Sequence, residues 1–367
     1  MGRETEVHEI DVLTALPEVE SIADEWTELA RQNDVGPLML APVATAWLRH
    51  VCKGQPHVMT ERHRDGTLMA ILPLHKRRLG PGHVLRWVGH GMGPTGDILI
   101  HPRASDPDAV VDEMLAVLAR ERTPLQLVDV ARSSRFFRRL TRSPDLHYAA
   151  DAHGTVPLID LAGVSSVEEF LSGSGRRKLR QNMARLDRSM AANVGHAVTT
   201  SVLTSPAAIA AALPGLTAVH DRSEARQPRQ HFLRGVNRAF TIEAMDRAAE
   251  SDQVAVVTVA SNGEPVAFLI SFISGRTLAA WVARIDPAAL ELAPGHQMLR
   301  AAVQWAIEHG LRCIDLQLGA DAYKLRWSSR TEDTVAVVAA RHGFLAPTQT
   351  AVRGVERAYA WRENHTA

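Results

Sequence analysis

Cysteine, net charge and long apolar runs are all scarce in this sequence. Its 367 residues include two cysteines, Cys52 and Cys313, and both lie in apolar surroundings. We therefore expect buried thiols rather than a metal site or a disulfide framework. Lys+Arg and Asp+Glu both number 41, which excludes a global field that would attract nucleic acid or membrane. Any polyanion site must be a local patch.

Signals for export, membrane insertion and metal binding are missing too. The N-terminal M-G-R-E-T-E-V opens no apolar core of signal-peptide length, and no run reaches the ~20 apolar residues of a membrane span. The histidines show no H-E-x-x-H or comparable ligand spacing, so no metal is predicted. We expect a soluble cytoplasmic protein without a membrane span, and the sequence leaves its oligomeric state open.

The stretch from Val254 to Trp327 organises the rest of the chain. Two apolar, β-prone runs flank Asn262-Gly263, which is a strong hairpin signal. Apolar residues then recur at helical spacing after Pro294. Because that helix leads from one strand to the next, it indicates parallel pairing through a right-handed crossover. After the hairpin we predict a third strand at 277–285, a helix from 294 to 310, a short buried strand at 312–318 and a second helix from near Asp321.

This order is that of the acyl-CoA-binding half of a GNAT acyltransferase, and the motifs sharpen the resemblance. The segments A-P-G-H-Q-M-L, W-A-I-E-H-G, I-D-L-Q-L-G and A-Y-K-L-R-W follow one another between residues 293 and 327. This series resembles the FemAB-like acetyltransferase family that includes the CelD-type proteins. The family's tail carries a small residue before Pro-Gly, a helix, an Asp in a strand, and then Tyr-Lys and an aromatic. The matching positions are Pro294, Gly295, Asp315, Tyr323, Lys324 and Trp327.

An internal repeat predicts two copies of one fold. R-D-G-T-L-M-A-I-L-P-L at 64–74 matches S-N-G-E-P-V-A-F-L-I-S at 261–271 in pattern, and the turn glycines 66 and 263 are offset by 197. Helix-then-strand follows in both, with Asp129 matched to Asp315 at an offset of 186. We therefore predict an α/β protein with mixed sheets (α+β), built of tandem GNAT-like halves with a cleft between or beside them. The predicted domains are 1–150 and 151–367, and the second carries the motif tail.

The rest of the chain is mostly helical in pattern. A glycine-rich loop at 89–96 lacks the Gly-Lys-Ser/Thr ending of a phosphate loop, so it is interpreted as a tight loop bordering a cleft, with phosphate contact as the alternative. Predicted helices are 17–32, 42–51, 106–122, 132–142, 164–190, 207–230, 231–249 and 350–362, with further strands at 7–12, 57–63, 67–74, 85–88, 97–100, 125–130 and 334–340.

A basic segment lies in the helical region between the halves. Leu179, Met183, Leu186 and Met190 form one face, and basic residues cover the rest. Two interpretations stay open, a solvated charged face or an anion contact for CoA phosphates or an RNA backbone. The family resemblance favours the second. The candidate anion contacts are Arg176, Arg177 and Lys178.

The resemblance implies where a donor would bind. A GNAT acyltransferase positions an acyl thioester beside an amine, and the strand at 277–285 is the candidate splayed strand for the pantetheine arm. The helix start at Pro294, Gly295, His296 and Gln297 is the candidate pyrophosphate site, where free N–H groups and the helix dipole favour an anion. The usual Arg/Gln-x-x-Gly-x-Gly/Ala loop is absent, and the proline removes one donor. His296 is either a loop histidine or a base.

The resemblance also implies the catalytic candidates. Tyr323 would protonate the departing thiolate, or would be a core tyrosine. Lys324 would hold a phosphate or the acyl carbonyl. Asp315 lies in an apolar strand, so it is expected to pair with Arg284 or Lys324 or to serve as a base. The candidate substrate contacts are Trp281, Arg284, Asp286 and Trp327.

Three functions follow from these patterns. The first is an N-acyltransferase that uses acetyl-CoA or another acyl-CoA as co-substrate and a small-molecule amine, or a cell-envelope or natural-product precursor, as acceptor. The second is a Fem-like transferase with an aminoacyl-tRNA donor, often with a long helical arm. Pro206, Pro214 and Pro228 are expected to interrupt the helices at 164–250 and so to argue against such an arm. The third is a non-catalytic binding protein, favoured by the weak anion loop.

Overall fold

The computed structural model describes residues 9–93, 96–192, 197–226 and 231–352. Several predicted segments reach beyond these limits. Residues 353–362 of the tail helix, residues 227–230 at the end of the helix predicted for 207–230, residues 7 and 8 of the first strand, and residues 94 and 95 of the glycine-rich loop lie outside the described residues.

The elements of the first part of the chain begin with a strand and alternate irregularly. They are β1 (Glu9–Leu13), α1 (Leu16–Ser21), α2 (Ala23–Arg31), a 3-10 turn (Pro37–Met39), α3 (Ala41–His50), β2 (Gln55–Arg62), β3 (Leu68–Leu79), β4 (Gly82–Trp87), β5 (Leu99–Ile100), α4 (Pro107–Glu121), β6 (Leu125–Ala131), α5 (Arg135–Leu140) and β7 (His147–Asp160).

The second part of the chain is richer in helix. Its elements are α6 (Val167–Ser172), α7 (Arg177–Ala192), β8 (Val198–Leu203), α8 (Pro206–Arg226), α9 (Asn237–Glu250), β9 (Val254–Ser261), β10 (Glu264–Ser274), β11 (Thr277–Ile285), a 3-10 turn (Pro287–Leu292), α10 (Pro294–Glu308), β12 (Cys313–Asp315), α11 (Ala322–Trp327) and β13 (Arg330–Ala340). A further helix begins at residue 345.

Contacts divide the described chain into two units. Unit 1 contains residues 9–154 and 332–352, and unit 2 contains residues 155–331. The C-terminal strand β13 therefore groups mainly with the N-terminal residues. The predicted domain division, 1–150 and 151–367, stays a prediction.

Unit 2 has the predicted strand order. Its strands run β8-β9-β10-β11-β12, followed by residues 155–160 of β7. The β9–β10 hairpin turns at Asn262 and Gly263, whose φ values of 51° and 86° suit the tight turn that the Asn-Gly pair predicts. β11 pairs in parallel with β12, and α10 is the crossover between them. The strand, strand, strand, helix, strand order predicted for 254–318 is confirmed.

Unit 1 repeats this order, which confirms the duplicated mixed α/β fold. Its strands run β1-β2-β3-β4-β6, then β13 and β7, and β4 pairs in parallel with β6. The predicted register between the copies is wrong by two residues, because β6 begins at Leu125 and β12 at Cys313, an offset of 188. Asp129 therefore matches Gln317 rather than Asp315. A two-residue slip keeps every side chain on its face, so the pattern alone could not detect it.

The core of unit 2 explains why α10 lies where it does. Its apolar positions, at helical spacing, are buried against the strands and against Phe170 and Trp327. Fully burying a Met, Leu or Val side chain stabilises the fold by about 1.5–3 kcal/mol. The α10 residues in this core are Met298, Leu299, Ala302, Val303 and Ala306.

Several local predictions are corrected. The helix predicted for 17–32 is two helices that break at Ile22. The helix predicted for 164–190 breaks between α6 and α7, where Gly175 adopts a left-handed φ of 78°. Pro214 does not end α8, which continues through it to Arg226. Leu216 and Val219 are fully buried beyond that proline, so packing outweighs the lost backbone bond. β7 and β8 were not predicted.

Candidate functional site

The start of α10 lies against the end of β11 and offers few free donors. Pro294 has no N–H, and the N–H groups of His296 and Gln297 both donate to the carbonyl oxygen of Ala293, at 3.0 and 3.4 Å. A Cβ on Gly295 would lie 3.2 Å from Ile285 Cδ1, so a glycine permits this close approach. Among the described residues, the Gly295 N–H is the first-turn donor left without a partner.

An aromatic stack connects this helix start to the basic segment. The indole Nε1–H of the fully buried Trp327 donates to His296 Nδ1 at 3.0 Å. Trp327 stacks on Phe170 with ring centroids 6.0 Å apart, and the Arg176 guanidinium lies 3.9 Å from the centre of the Phe170 ring. Arg176 also donates to Ser329 Oγ at 2.6 Å. Three predicted site residues, Arg176, His296 and Trp327, are thus brought into one contiguous group.

The histidine in this group is held neutral. Burial, and next the nearby positive charge of Arg326, lower the pKa of His296 below its usual value. Because Nδ1 accepts from Trp327, the neutral ring carries its proton on Nε2. His296, which follows Gly295 in the chain, therefore carries an N–H donor at Nε2.

The parallel ladder between β11 and β12 is short. Its pairs run from Thr277 with Cys313 to Ala279 with Asp315, and in the described structure no pair follows. β11 continues to Ile285 and carries a bulge, since Ile270 of β10 pairs with Val282 and Ser271 with Ala280. Residues 280–285 therefore keep an edge that β12 does not cover. We call it the open edge of β11.

Gln317 follows the end of this ladder and was missed by sequence reasoning. It has a left-handed φ of 58° and is 7% exposed. Neither its amide nitrogen nor its amide oxygen has a hydrogen-bond partner in the described structure. A buried unpaired amide costs about 1–3 kcal/mol, which calls for a reason. The signal in the sequence was the polar Gln inside the apolar run I-D-L-Q-L.

Two predicted catalytic residues hold Gln317 in this conformation. Asp315 Oδ1 accepts from the Gln317 N–H at 2.7 Å. Lys324 Nζ donates to the carbonyl oxygens of Leu318, at 2.7 Å, and Gln317, at 3.4 Å. Tyr323, the neighbour of this lysine on α11, is 43% exposed. Asp315, Lys324 and Gln317 therefore form one group, with Tyr323 at its surface.

The predicted substrate contacts on β11 lie on the other face of the strand. Arg284 is 5% exposed, and its Nε donates to Glu224 Oε1 at 2.6 Å. Asp286 pairs with Arg222 and accepts from the Ala288 N–H at 2.9 Å.

Trp281 lies on this face as well and packs among three aromatic rings. The centroids of Phe232, Phe272 and Phe240 lie 4.7, 5.5 and 5.8 Å from that of Trp281. Trp281, Arg284 and Asp286 are thus separated from the group at the start of α10.

The basic helix α7 turns its apolar residues inward and its charges outward. Leu179, Met183 and Leu186 belong to the core of unit 2. Arg177 and Lys178, at its start, are exposed. Arg300 of α10 pairs with Asp187 of α7, Nη1 to Oδ1, at 2.7 Å.

No group of three or more His, Cys, Asp or Glu side chains in the described ranges could hold a metal ion. None of the described helices is both long and apolar enough to cross a membrane.

Comparisons with known proteins agree with this geometry. Residues 174–325 match a family model described as acetyltransferase (GNAT) domain. No match was found among curated protein sequences. Three solved structures share the fold at low sequence identity, which shows the fold alone.

The structure of FemX is 11% identical, has a TM-score of 0.65, and covers 94% of this chain and 100% of its own. The C-terminal domain of a putative lysylphosphatidylglycerol synthetase from Agrobacterium fabrum is 15% identical, with a TM-score of 0.58 and coverage of 93% and 96%. The structure of L-PGS from Bacillus licheniformis is 15% identical, with a TM-score of 0.55 and the same coverage. The chain has the duplicated mixed sheet of the GNAT fold, and the matched acetyltransferase segment supports a transferase.

Proposed function

We propose that the chain is an N-acyltransferase that moves an acyl group from acetyl-CoA or another acyl-CoA to the amine of a small molecule. The observation that carries this proposal is the open edge of β11, which ends beside the start of α10 and faces the point where β12 stops. Backbone groups on such an edge can bond a pantetheine arm, and the helix start can receive a pyrophosphate. Cytoplasmic location and the finer FemAB-like and CelD-type kinship belong to the same proposal.

The residues at this edge take separate roles in the proposal. The Gly295 N–H and the Nε2–H of His296 contact the donor's phosphates, with Arg176, Arg177 and Lys178 adding positive charge nearby. The unpaired Gln317 amide bonds the acyl carbonyl or the pantetheine amides. Tyr323 protonates the leaving sulfur. Asp315 and Lys324 act through Gln317, because both contact its backbone.

A second donor is favoured by a specific observation. The basic side chains along α7 after its first turn, Arg180, Arg185 and Arg188, are exposed like those at its start. A row of exposed basic side chains can contact a nucleic-acid backbone, as an aminoacyl-tRNA donor would require. The weak anion site at α10, with one free amide, points the same way. Under this alternative, the acyl group is an aminoacyl ester and the open edge of β11 binds the terminal nucleotide.

A donor screen separates the two. Binding of acetyl-CoA, longer acyl-CoAs and aminoacyl-tRNA is measured by thermal shift and calorimetry, since a ligand that binds the native state raises its Tm. The first donor predicts a Tm rise with an acyl-CoA, followed by thiol release when a panel of amines is added. A Tm rise with aminoacyl-tRNA and none with acyl-CoA would replace acyl-CoA by aminoacyl-tRNA as the proposed donor. No response to either would overturn the proposed function.

A further inference from the structure

The segment after α8 places an exposed histidine against a buried carboxylate. His231 Nδ1 lies 3.8 Å from Glu224 Oε2, and the side chains are 58% and 6% exposed, respectively. The other carboxylate oxygen accepts from Arg284 Nε at 2.6 Å. Glu224 therefore lies between a surface imidazole and a buried guanidinium on β11.

The backbone of this histidine is held in place although its ring is exposed. Phe232 and Leu233, which follow it, are 6% and 0% exposed. The carbonyl oxygen of His231 accepts from Asn237 Nδ2 at 3.0 Å. Arg234 donates from Nε to Asp221 Oδ1 of α8 at 2.9 Å. The ring is thus presented from a fixed position, as a catalytic group requires.

This pair lies beside the strand that carries the open edge, on the face away from α10. Leu278, Ala280, Ala283 and Ile285 of β11 pack into the core that contains α10. Trp281 contacts Phe232 with centroids 4.7 Å apart, and Arg284 contacts Glu224. One strand therefore separates the proposed donor contacts from the His231–Glu224 pair. An acceptor that approaches from the second face would meet the imidazole.

We propose that His231 is the general base of the transfer and that Glu224 is a positioning residue that orients its ring. The inference rests on the proposed function. The acceptor enters as an ammonium, and one of its protons moves to His231 Nε2. The freed nitrogen lone pair attacks the acyl carbonyl and forms the C–N bond. The C–S bond breaks, the sulfur leaves with the electron pair and takes the proton of Tyr323, and the second amine proton passes to Tyr323. His231 releases its proton to water.

The surroundings suit this role. A histidine titrates near neutral pH, where a general base works best. The charged and titratable groups around it are Glu224 and His220 of α8, Arg284 of β11, and the Asp221–Arg234 pair. The 3.8 Å separation exceeds a hydrogen bond, and such contacts commonly tighten when substrate binds.

The orientation of the ring can be tested without an acceptor. Nitrogen-15 histidine spectra of the full chain give the tautomer of His231. We expect the Nδ1–H tautomer, pointing at Glu224, and loss of this preference in Glu224→Gln, where the negative charge is removed. An Nε2–H tautomer in wild type, or a preference unchanged by Glu224→Gln, would overturn the pairing. If Glu224→Gln does not fold because Arg284 is left buried without its partner, the wild-type tautomer decides.

The catalytic role is tested with an amine from the donor screen. In His231→Gln we expect kcat/KM to fall by about 10²-fold and its acidic pH limb to disappear, while the Tm rise with acyl-CoA stays unchanged. His309 is an exposed histidine on the same unit, and His309→Gln serves as the control. It should keep the wild-type kcat/KM, the acidic limb and the Tm rise with acyl-CoA. Full activity in His231→Gln would overturn the role while the proposed function stands. If no amine is acylated, the proposed function and the role of His231 are both overturned.

Discussion

Asp129 and Gln317 share one backbone conformation, with φ at 58° in each, at the fifth residue from the start of β6 and of β12. Residues other than glycine seldom adopt this conformation. Asp129 Oδ1 makes no hydrogen bond in the described structure but lies 3.1 Å from His153 Nε2, whereas both polar atoms of the Gln317 amide have no hydrogen-bond partner among the described residues. Both units keep the left-handed residue at this position, and in unit 2 the amide of that residue, Gln317, is available to a ligand. This difference indicates where a ligand would bind.

Replacing Gln317 by leucine should separate binding from stability. The amide makes no hydrogen bond in the described structure, so Gln317→Leu should leave the Tm unchanged or raise it. One lost hydrogen bond of about 0.5–1.5 kcal/mol should weaken donor binding about twofold to tenfold, measured by calorimetry. Gln126→Leu is the control, because its Oε1 accepts from Arg86 Nε at 2.8 Å, and it should lower the Tm instead. A large Tm loss in Gln317→Leu would assign the amide a structural role.

Lys324→Met should lower turnover more than stability. It removes the donor to the carbonyl oxygens of Leu318 and Gln317, so the segment beside the open edge loses its position. We expect kcat to fall by about 10²-fold, with a Tm close to wild type and partial recovery in Lys324→Arg. Arg330→Met, an exposed cation nearby, should be neutral. If Lys324→Met keeps the wild-type kcat but has a lower Tm, the role of Lys324 is structural.

Removing Arg177 and Lys178 together should reveal the role of the basic helix. Both are exposed, whereas Arg176 contacts Phe170 and Ser329 and is left intact. The double alanine variant should weaken donor binding at low salt and reduce its dependence on salt concentration. The reduction should be larger for aminoacyl-tRNA than for acyl-CoA, since more phosphates are in reach. If the double variant binds the donor at low salt as tightly as wild type does, Arg177 and Lys178 belong to a solvated charged face and do not contact the donor.

The contribution of Glu61 to the stability of the protein should fall as the pH rises towards 7. Burial, and next the negative charge of Glu113, raise the pKa of Glu61 to about 7. The folded chain therefore holds a proton that the unfolded chain loses near its ordinary value of about 4.5. Stability from this group is fully present below about pH 4.5 and is lost as pH rises through 7.

Thermal melts between pH 5 and 8 check this prediction. The side chain of Glu61→Gln stays neutral, so the Tm of this variant should fall less between pH 5 and pH 8 than the wild-type Tm does. In Glu113→Gln the Tm should fall less steeply with pH than in wild type, because this variant removes the negative charge that helps to raise the pKa of Glu61. A wild-type Tm that rises from pH 5 to 8 with no change in Glu61→Gln would contradict the assignment.

The sequence predicted elements whose signals are local. Asn262-Gly263 predicted the hairpin, and Pro294 and Gly310 bracket α10 and the turn that follows it. β7 went unpredicted because its first residues, H-Y-A-A-D-A-H, do not alternate strongly between apolar and polar. Pro214 was misjudged because tertiary packing, which no local rule contains, decided the outcome.

The candidate site was predictable only where the motif named residues. Pro294, Gly295, Asp315, Tyr323, Lys324 and Trp327 came from the resemblance, and the structure shows that Asp315 and Lys324 both contact the backbone of Gln317. Gln317 and the pair of His231 and Glu224 depend on long-range contacts. Glu224 meets Arg284 across 60 positions of the chain, and no spacing rule connects such residues.

The order of strands in unit 1 has a consequence for synthesis. β13, at Arg330–Ala340, pairs with β6 at Leu125–Ala131. The ribosome must therefore release about two hundred further residues before β6 gains that neighbour. Domains usually fold from the N-terminus as they emerge, but this first sheet must wait with an unpaired strand. The nascent chain thus has a long interval in which a chaperone, or an aggregating neighbour, can bind that edge.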